Sequence, residues 1–230
     1  MALDFSFLPK YYTYFLEGAK WTILISLITV FFGTLLGMIL CFMKRSKFNI
    51  LGIKILNIIS TVYIEIIRGT PLLLQIMIVY NGSAILFGVD IEALPAAIIA
   101  ISLNSGAYVS EIIRAGINAV DKGQLEAARS LGMTGPMAMR LVILPQAVKN
   151  ILPAIGNEFI AVIKESSMAS SIGVTELMYG ANVISGSTYK VFEPLIVAAV
   201  LYFIMTFSLG RLMNFIERRM NTDDSHKQSA

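Results

Sequence analysis

Two apolar runs of this chain carry polar side chains at spacings suited to holding a small polar molecule. Asn104, Tyr108 and Glu111 stand at i, i+4 and i+7, so a helix would place them on one face, with Ser105 at its border. In the other run Asn157 and Glu158 follow Pro153 and Gly156, a pair that loosens backbone hydrogen bonding just ahead of the carboxylate. A third place is Arg68-Gly69-Thr70-Pro71, where a charge meets a helix break. The chemistry open to these groups is non-covalent. A carboxylate in hydrocarbon can receive an ammonium, and amides and hydroxyls can bond a polar molecule or a neighbouring helix. Each charge also has an internal partner in reach of sequence. Arg114 lies one turn from Glu111, Lys164 follows Glu158, and Glu65 lies one turn before Arg68. Ion pairing is the preferred reading for Glu111 and for Arg68. Thr70, Asn104, Ser105, Tyr108, Asn157 and Glu158 stand as candidates for lining a polar path, with pairing to Lys164 left open for Glu158.

Covalent catalysis has no residues to work with. His226 is the only histidine and sits in the polar tail 221–230, and Cys41, the only cysteine, lies inside an apolar run. No His-Glu-x-x-His metal pattern and no Gly-x-x-x-x-Gly-Lys-Ser/Thr phosphate loop occurs, so no catalytic residue, metal site or bound cofactor is expected.

The elements that must position these groups are membrane spans. The chain is 56% hydrophobic and 14% charged, and its mean hydropathy is +0.73. That is far more apolar than a soluble domain, and residues 1–230 read as a single membrane domain. A net charge of +3 without a long basic run gives no reason to expect nucleic acid. The N-terminus, with Asp4, Glu17 and Tyr11-Tyr12-Thr13-Tyr14, lacks the pattern of a secretory signal.

Six apolar segments occur, at 21–43, 50–67, 72–89, 93–113, 141–163 and 192–216. Parity forbids six crossings. The basic loop 44–47 and the region of Lys122, Arg129 and Arg140 both belong in the cytoplasm by the positive-inside rule, yet three segments separate them. Residues 50–89 would measure ~60 Å as one helix, about twice the hydrocarbon thickness. One crossing with its first turns at the cytoplasmic surface, bent at residues 68–71, satisfies both constraints. An all-α protein with five transmembrane helices results, N-terminus outside and C-terminus cytoplasmic, which agrees with Arg211, Arg218, Arg219 and Lys227 near the end. Residues 166–190 are too polar to span and are expected to fold at the outer side, dipping back as a re-entrant piece.

Between the third and fourth spans lies a polar stretch that reads as a short surface helix, about 121–132. Asp121 suits its N-cap, with Gln124 at the capping-box position, and Gly132 its C-terminal stop. Pro136 suits the first turn of the next helix. Ala127 and Ala128 offer no bulk, which would let another protein come close.

This stretch resembles the signature of permease subunits of bacterial ABC importers. Glu126-Ala127-Ala128 is followed by a glycine at the seventh position, Gly132, and by Leu144-Pro145 at the nineteenth and twentieth, with Val142 where the signature has isoleucine. Three further stretches are similar to the polar amino-acid branch, the histidine, glutamine and arginine permeases. They are Tyr63-Ile64-Glu65-Ile66-Ile67-Arg68-Gly69-Thr70-Pro71-Leu72-Leu73-Leu74-Gln75, Ala107-Tyr108-Val109-Ser110-Glu111-Ile112-Ile113-Arg114-Ala115-Gly116-Ile117 and Leu152-Pro153-Ala154-Ile155-Gly156-Asn157-Glu158-Phe159-Ile160. Ala115 stands where members often carry glycine, and Lys164-Glu165-Ser166 where they carry Lys-Asp-Thr/Ser.

The resemblance implies a type I importer (MetI-like) fold in the bacterial inner membrane. The stretch would be a coupling helix, with Glu126, Ala127, Ala128, Arg129, Leu131, Gly132 and Pro145 meeting an ATPase. It implies two ATPase subunits holding ATP-Mg, a second permease copy or paralogue, an extracytoplasmic amino-acid-binding protein and an amino acid as cargo, with this chain hydrolysing nothing. An importer of methionine or another small solute would share the coupling segment. A channel would leave it unexplained.

Overall fold

The computed structural model describes residues 3–46 and 54–227, with side chains described throughout except at 87 and 221–227. Lys47, the start of the segment at 50–67, and the side chains of His226 and Lys227 lie outside the described residues. Every regular element among the described residues is helical.

Helix α1, Leu8–Arg45, runs 38 residues, beginning with Pro9 in its first turn and ending on Lys44 and Arg45, whose charge suits the C-terminal dipole. It starts well before the span expected at 21–43. The added turns are held by a cluster of Phe7 and Phe15 with Leu177, Ala181, Ile184 and Ala198, residues too far along the chain to be anticipated. At ~57 Å, α1 is much longer than the hydrocarbon core is thick.

Helices α2, Ile55–Gly69, and α3, Leu72–Phe87, meet at the expected break. The turn between them is sharp, 108°. Helix α4, Ala93–Asn118, is the most buried span and packs along α1. The two backbones approach closely through small residues: a Cβ on Gly33 would lie 2.9 Å from Ser105, and one on Gly37 2.8 Å from Val109.

Helix α5, Lys122–Ser130, is the short polar helix. After a turn, α6, Gly135–Ala138, passes through a π-helical turn, Met139–Ile143, into α7, Leu144–Glu165. Pro145 has no amide to give Leu141, and the wider π turn, with Leu144 N–H bonding Met139 O, lets the helix run on past it. A 3-10 turn, Ser166–Ile172, leads to α8, Leu177–Thr188, which packs against α1 and α9. The final helix, α9, is Phe192–Lys227, extending past the expected end at 216.

Four helices or helical runs are long and apolar enough to cross a membrane, and the bent α2–α3 pair makes a fifth if it counts as one span. The main core joins α1, α3, α4, α7 and the 3-10 turn through Ile25, Ile76, Ala100, Ile101, Val162 and Ala169. Phe31, Phe42, Ile85 and Phe203 point outward, as lipid-facing side chains do.

Candidate functional site

The polar helix α5 is built as its residues dictate. Asp121 accepts a hydrogen bond from Gly123 N–H at 2.7 Å, satisfying a first-turn amide. Gln124 does not complete a capping box. Its Oε1 accepts from Gln146 Nε2 at 3.3 Å, which ties α5 to the start of α7. At the other end Gly132 has φ +84°. Its N–H bonds Arg129 O at 3.0 Å and Met133 N–H bonds Ala128 O at 3.2 Å, the paired bonds of a Schellman stop.

Glu126, Ala127, Arg129 and Gly132 face outward, as does Pro145 at the start of α7. Leu131 is 81% exposed, an apolar side chain with no cover at the end of a polar helix. Ala128 departs from expectation: it is buried beneath α5, so only Ala127 of the pair presents a smooth outer surface. Helix α5 packs on α6 and the π turn, and Ala128 is its one buried residue.

Asn104, Tyr108 and Glu111 do share a face of α4, and each meets a partner within the chain. Asn104 is buried and its Nδ2 donates to Gln75 Oε1 at 3.0 Å. Arg68 lies over the Tyr108 ring, 5.3 Å from its centre, and no ion pair joins it to Glu65 among the described residues. Tyr108 stands on α4, on which α2 packs, so the folded chain brings its ring to the guanidinium. Glu111 is paired twice, with Arg114 Nη2 at 2.5 Å and with Lys44 Nζ at 2.9 Å. Asn57 Nδ2 donates to Lys44 O at 2.5 Å, so the ends of α1, α2 and α4 are joined at one point.

Thr70 sits in the break, its hydroxyl donating to Ile66 O at 2.9 Å. Ser105 is buried at the α1–α4 seam. On α7, Asn157 is exposed and Glu158 half-buried, while Lys164 is exposed six residues on and forms no ion pair with Glu158 among the described residues. Six residues is nearly two helical turns, too far for the two side chains to close. The helix remains regular through Pro153. Gly156 serves packing, since a Cβ there would lie 2.2 Å from Met213 Sδ of α9.

Three polar groups escape a reading of the sequence. Gln75 Nε2 reaches Ile67 O at 2.7 Å and Thr70 Oγ1 at 2.8 Å, crossing the break. Its place four residues after a proline was the available signal. Lys44 reaches Glu111 across 67 positions, which no local pattern announces. Glu176 is fully buried. Its carboxylate accepts from the Met178 and Tyr179 amides, both at 2.8 Å, and from Tyr202 O–H at 2.6 Å, capping α8 and fastening it to α9. Near the N-terminus Lys190 pairs with Asp4 and holds its carboxyl pKa down to about 2.

Among the described residues no group of acids, histidines or cysteines is placed to hold a metal. The arrangement is suited to binding and orienting a polar molecule.

Comparison with known proteins gives a consistent picture. The family of the binding-protein-dependent transport system inner membrane component matches residues 33–222. A putative glutamine transport system permease protein of Rickettsia conorii is 43% identical over 219 residues, covering 94% of this chain and 98% of its own length. The arginine transport system permease protein of Bacillus subtilis is 43% identical over 224 residues, with 97% and 100% covered. A crystal structure of an amino acid ABC transporter with histidines superposes with a TM-score of 0.90 at 49% identity, covering 95% of this chain and all of that one (100%). An inward-facing structure of the MetNI methionine ABC transporter superposes with a TM-score of 0.75 at 19% identity, covering 95% and 99%, a likeness of fold alone.

Proposed function

Because the chain belongs to the binding-protein-dependent transport system inner membrane components, we propose that it forms half of the solute path of an ATP-driven importer for a polar amino acid. It is a multi-pass inner-membrane protein, and its relatives are permease subunits of ABC transporters. The observation that carries the proposal is α5: a capped, outward-facing polar helix with an uncovered Leu131, standing between spans. In a soluble exterior such a surface is unremarkable, but beside hydrocarbon spans it suits a protein partner.

The partners are two ATPase subunits carrying ATP-Mg, a second permease copy or paralogue, and an extracytoplasmic amino-acid-binding protein. ATP binding closes the ATPases, α5 moves with them, and the permease pair turns from inward-facing to outward-facing to take up solute. Glu126, Ala127, Arg129, Leu131 and Gly132 form the gripped surface, with Ala128 holding α5 to its own chain and Pro145 shaping the start of α7. The N-terminus lies outside and the C-terminus in the cytoplasm, supported by the basic residues Arg211, Arg218 and Arg219 late in α9.

Among the path candidates, Tyr108, Asn157 and Glu158 keep accessible surface; Asn104 is buried and bonded to Gln75, Thr70 is exposed with its hydroxyl bonded to Ile66 O, and the Ser105 hydroxyl is buried without a hydrogen-bond partner among the described residues. Glu158 is the group suited to an ammonium. Replacing Gly132 by valine tests the coupling role. A β-branched residue at φ +84° is strained by about 1–2 kcal/mol and puts bulk on the gripped surface. The Gly132→Val complex should hydrolyse ATP without matching uptake in vesicles. Full uptake in that variant would contradict the role.

A further inference from the structure

The break between α2 and α3 is held by side chains, and the manner of holding points to a moving part. In an unbroken helix the amide of residue 71 would bond the carbonyl of Ile67. Pro71 has no amide, and Gln75 Nε2 takes its place at 2.7 Å. The neighbouring carbonyl, Ile66 O, is satisfied by the Thr70 hydroxyl at 2.9 Å. Two carbonyls orphaned by the break are thus capped without backbone.

The same Gln75 amide nitrogen also lies 2.8 Å from Thr70 Oγ1 and 3.1 Å from Thr70 O. It has two hydrogens for three acceptors, so alternative pairings stand within reach. Its oxygen is anchored from α4 by Asn104 Nδ2 at 3.0 Å, and both side chains are buried, Asn104 at 5% and Gln75 at 9% exposure.

Beside the elbow lies an open groove of about 220 Å³ bounded by Ile66, Ile67, Leu74, Ile78 and Leu103, with Thr70 and Gln75 on its wall. Ile66, Leu74 and Ile78 are exposed there, and Gly69, at the end of α2, has open space where a side chain would stand. Hydrogen bonds therefore brace a joint that borders open space and has room to turn. Both arms pack on α4, but α2 also leans on α1 and α3 on the 3-10 turn.

We propose that Gln75 is a positioning residue for transport: anchored by Asn104, it latches the break of the second span at its present angle and re-pairs as the permease changes its opening. The proposal rests on the permease reading above.

The test uses the whole complex with its ATPase and binding protein in lipid vesicles. Spin labels are placed at Val62 on α2 and Ile85 on α3, both exposed. Gln75→Met keeps length and removes hydrogen bonding. It should broaden the label distance distribution and lower uptake about fivefold, as losing one net hydrogen bond of the latched state implies, while ATP hydrolysis persists. Adding Asn104→Ala should cost little more, since the pair acts as one unit. An unchanged distribution would overturn the latch. So would a parallel fall in uptake, hydrolysis and complex yield, which marks a role in holding the fold. An unaltered complex that hydrolyses ATP but moves no amino acid would instead refute the permease reading, and the label distances would still judge the latch.

Discussion

Glu158 has no ion-pair partner among the described residues and keeps part of its surface accessible in the middle of α7. A carboxylate on a membrane-spanning helix without an ion-pair partner is costly, and under the proposed function it is the residue whose chemistry would report on the cargo. Exchange for glutamine keeps shape and removes charge. Uptake of a basic amino acid by Glu158→Gln should fall by about tenfold, the loss of one charge-assisted hydrogen bond, and uptake of a neutral one much less. Equal losses for both would assign Glu158 a structural role. The contrast with Glu111 is instructive, since two cations already neutralise it and no ligand is needed there. Arg114 as a partner of Glu111 was readable from a spacing of three, whereas Lys44 was not, because α1 and α4 meet only in the folded chain.

Helix α5 depends on its ends more than on its length, since nine residues are too few to hold a helix unaided. Removing the cap by Asp121→Ala should cost about 1 kcal/mol of local stability. Hydrogen exchange of the α5 amides should then quicken about fivefold, with spans unaffected. Exchange unchanged in α5 would show that packing on the π turn, and not the cap, sustains it. The stop at Gly132 and the cap at Asp121 were legible because both are local backbone chemistry. The inward turn of Ala128 and the reach of Gln124 to Gln146 were not, because they depend on how α5 lies against the start of α7. The elbow divides in the same way: Gly69 and Pro71 announce a break, but only the folded chain brings Gln75 and Asn104 together across it.

Parity of crossings and the placement of basic residues were enough to reduce six apolar segments to one bent and four straight ones. They did not reveal how far α1 and α9 run, and the added first turns of α1 are held by contacts among distant residues such as Phe15 and Leu177. The start of the chain is tied to the turn before α9 by the link between Lys190 and Asp4. Chiefly through its hydrogen bond to Lys190, Asp4 has a carboxyl pKa lowered from 3.8 to about 2. The link therefore contributes fully above pH ~4 and is lost as pH falls towards ~2. In Lys190→Met the Asp4 titration followed by NMR should move up towards its ordinary midpoint, and an unmoved midpoint would deny the link.

The central claim is that α5 faces the cytoplasm and is gripped there by an ATPase. A single reporter thiol at Leu131, introduced as Leu131→Cys with Cys41 replaced by serine, measures this directly with a membrane-impermeant thiol reagent. The account predicts no labelling of intact cells, rapid labelling of inside-out vesicles stripped of the ATPase, and protection when the ATPase is restored. Labelling from outside intact cells, or labelling in vesicles that the ATPase leaves untouched, would contradict it.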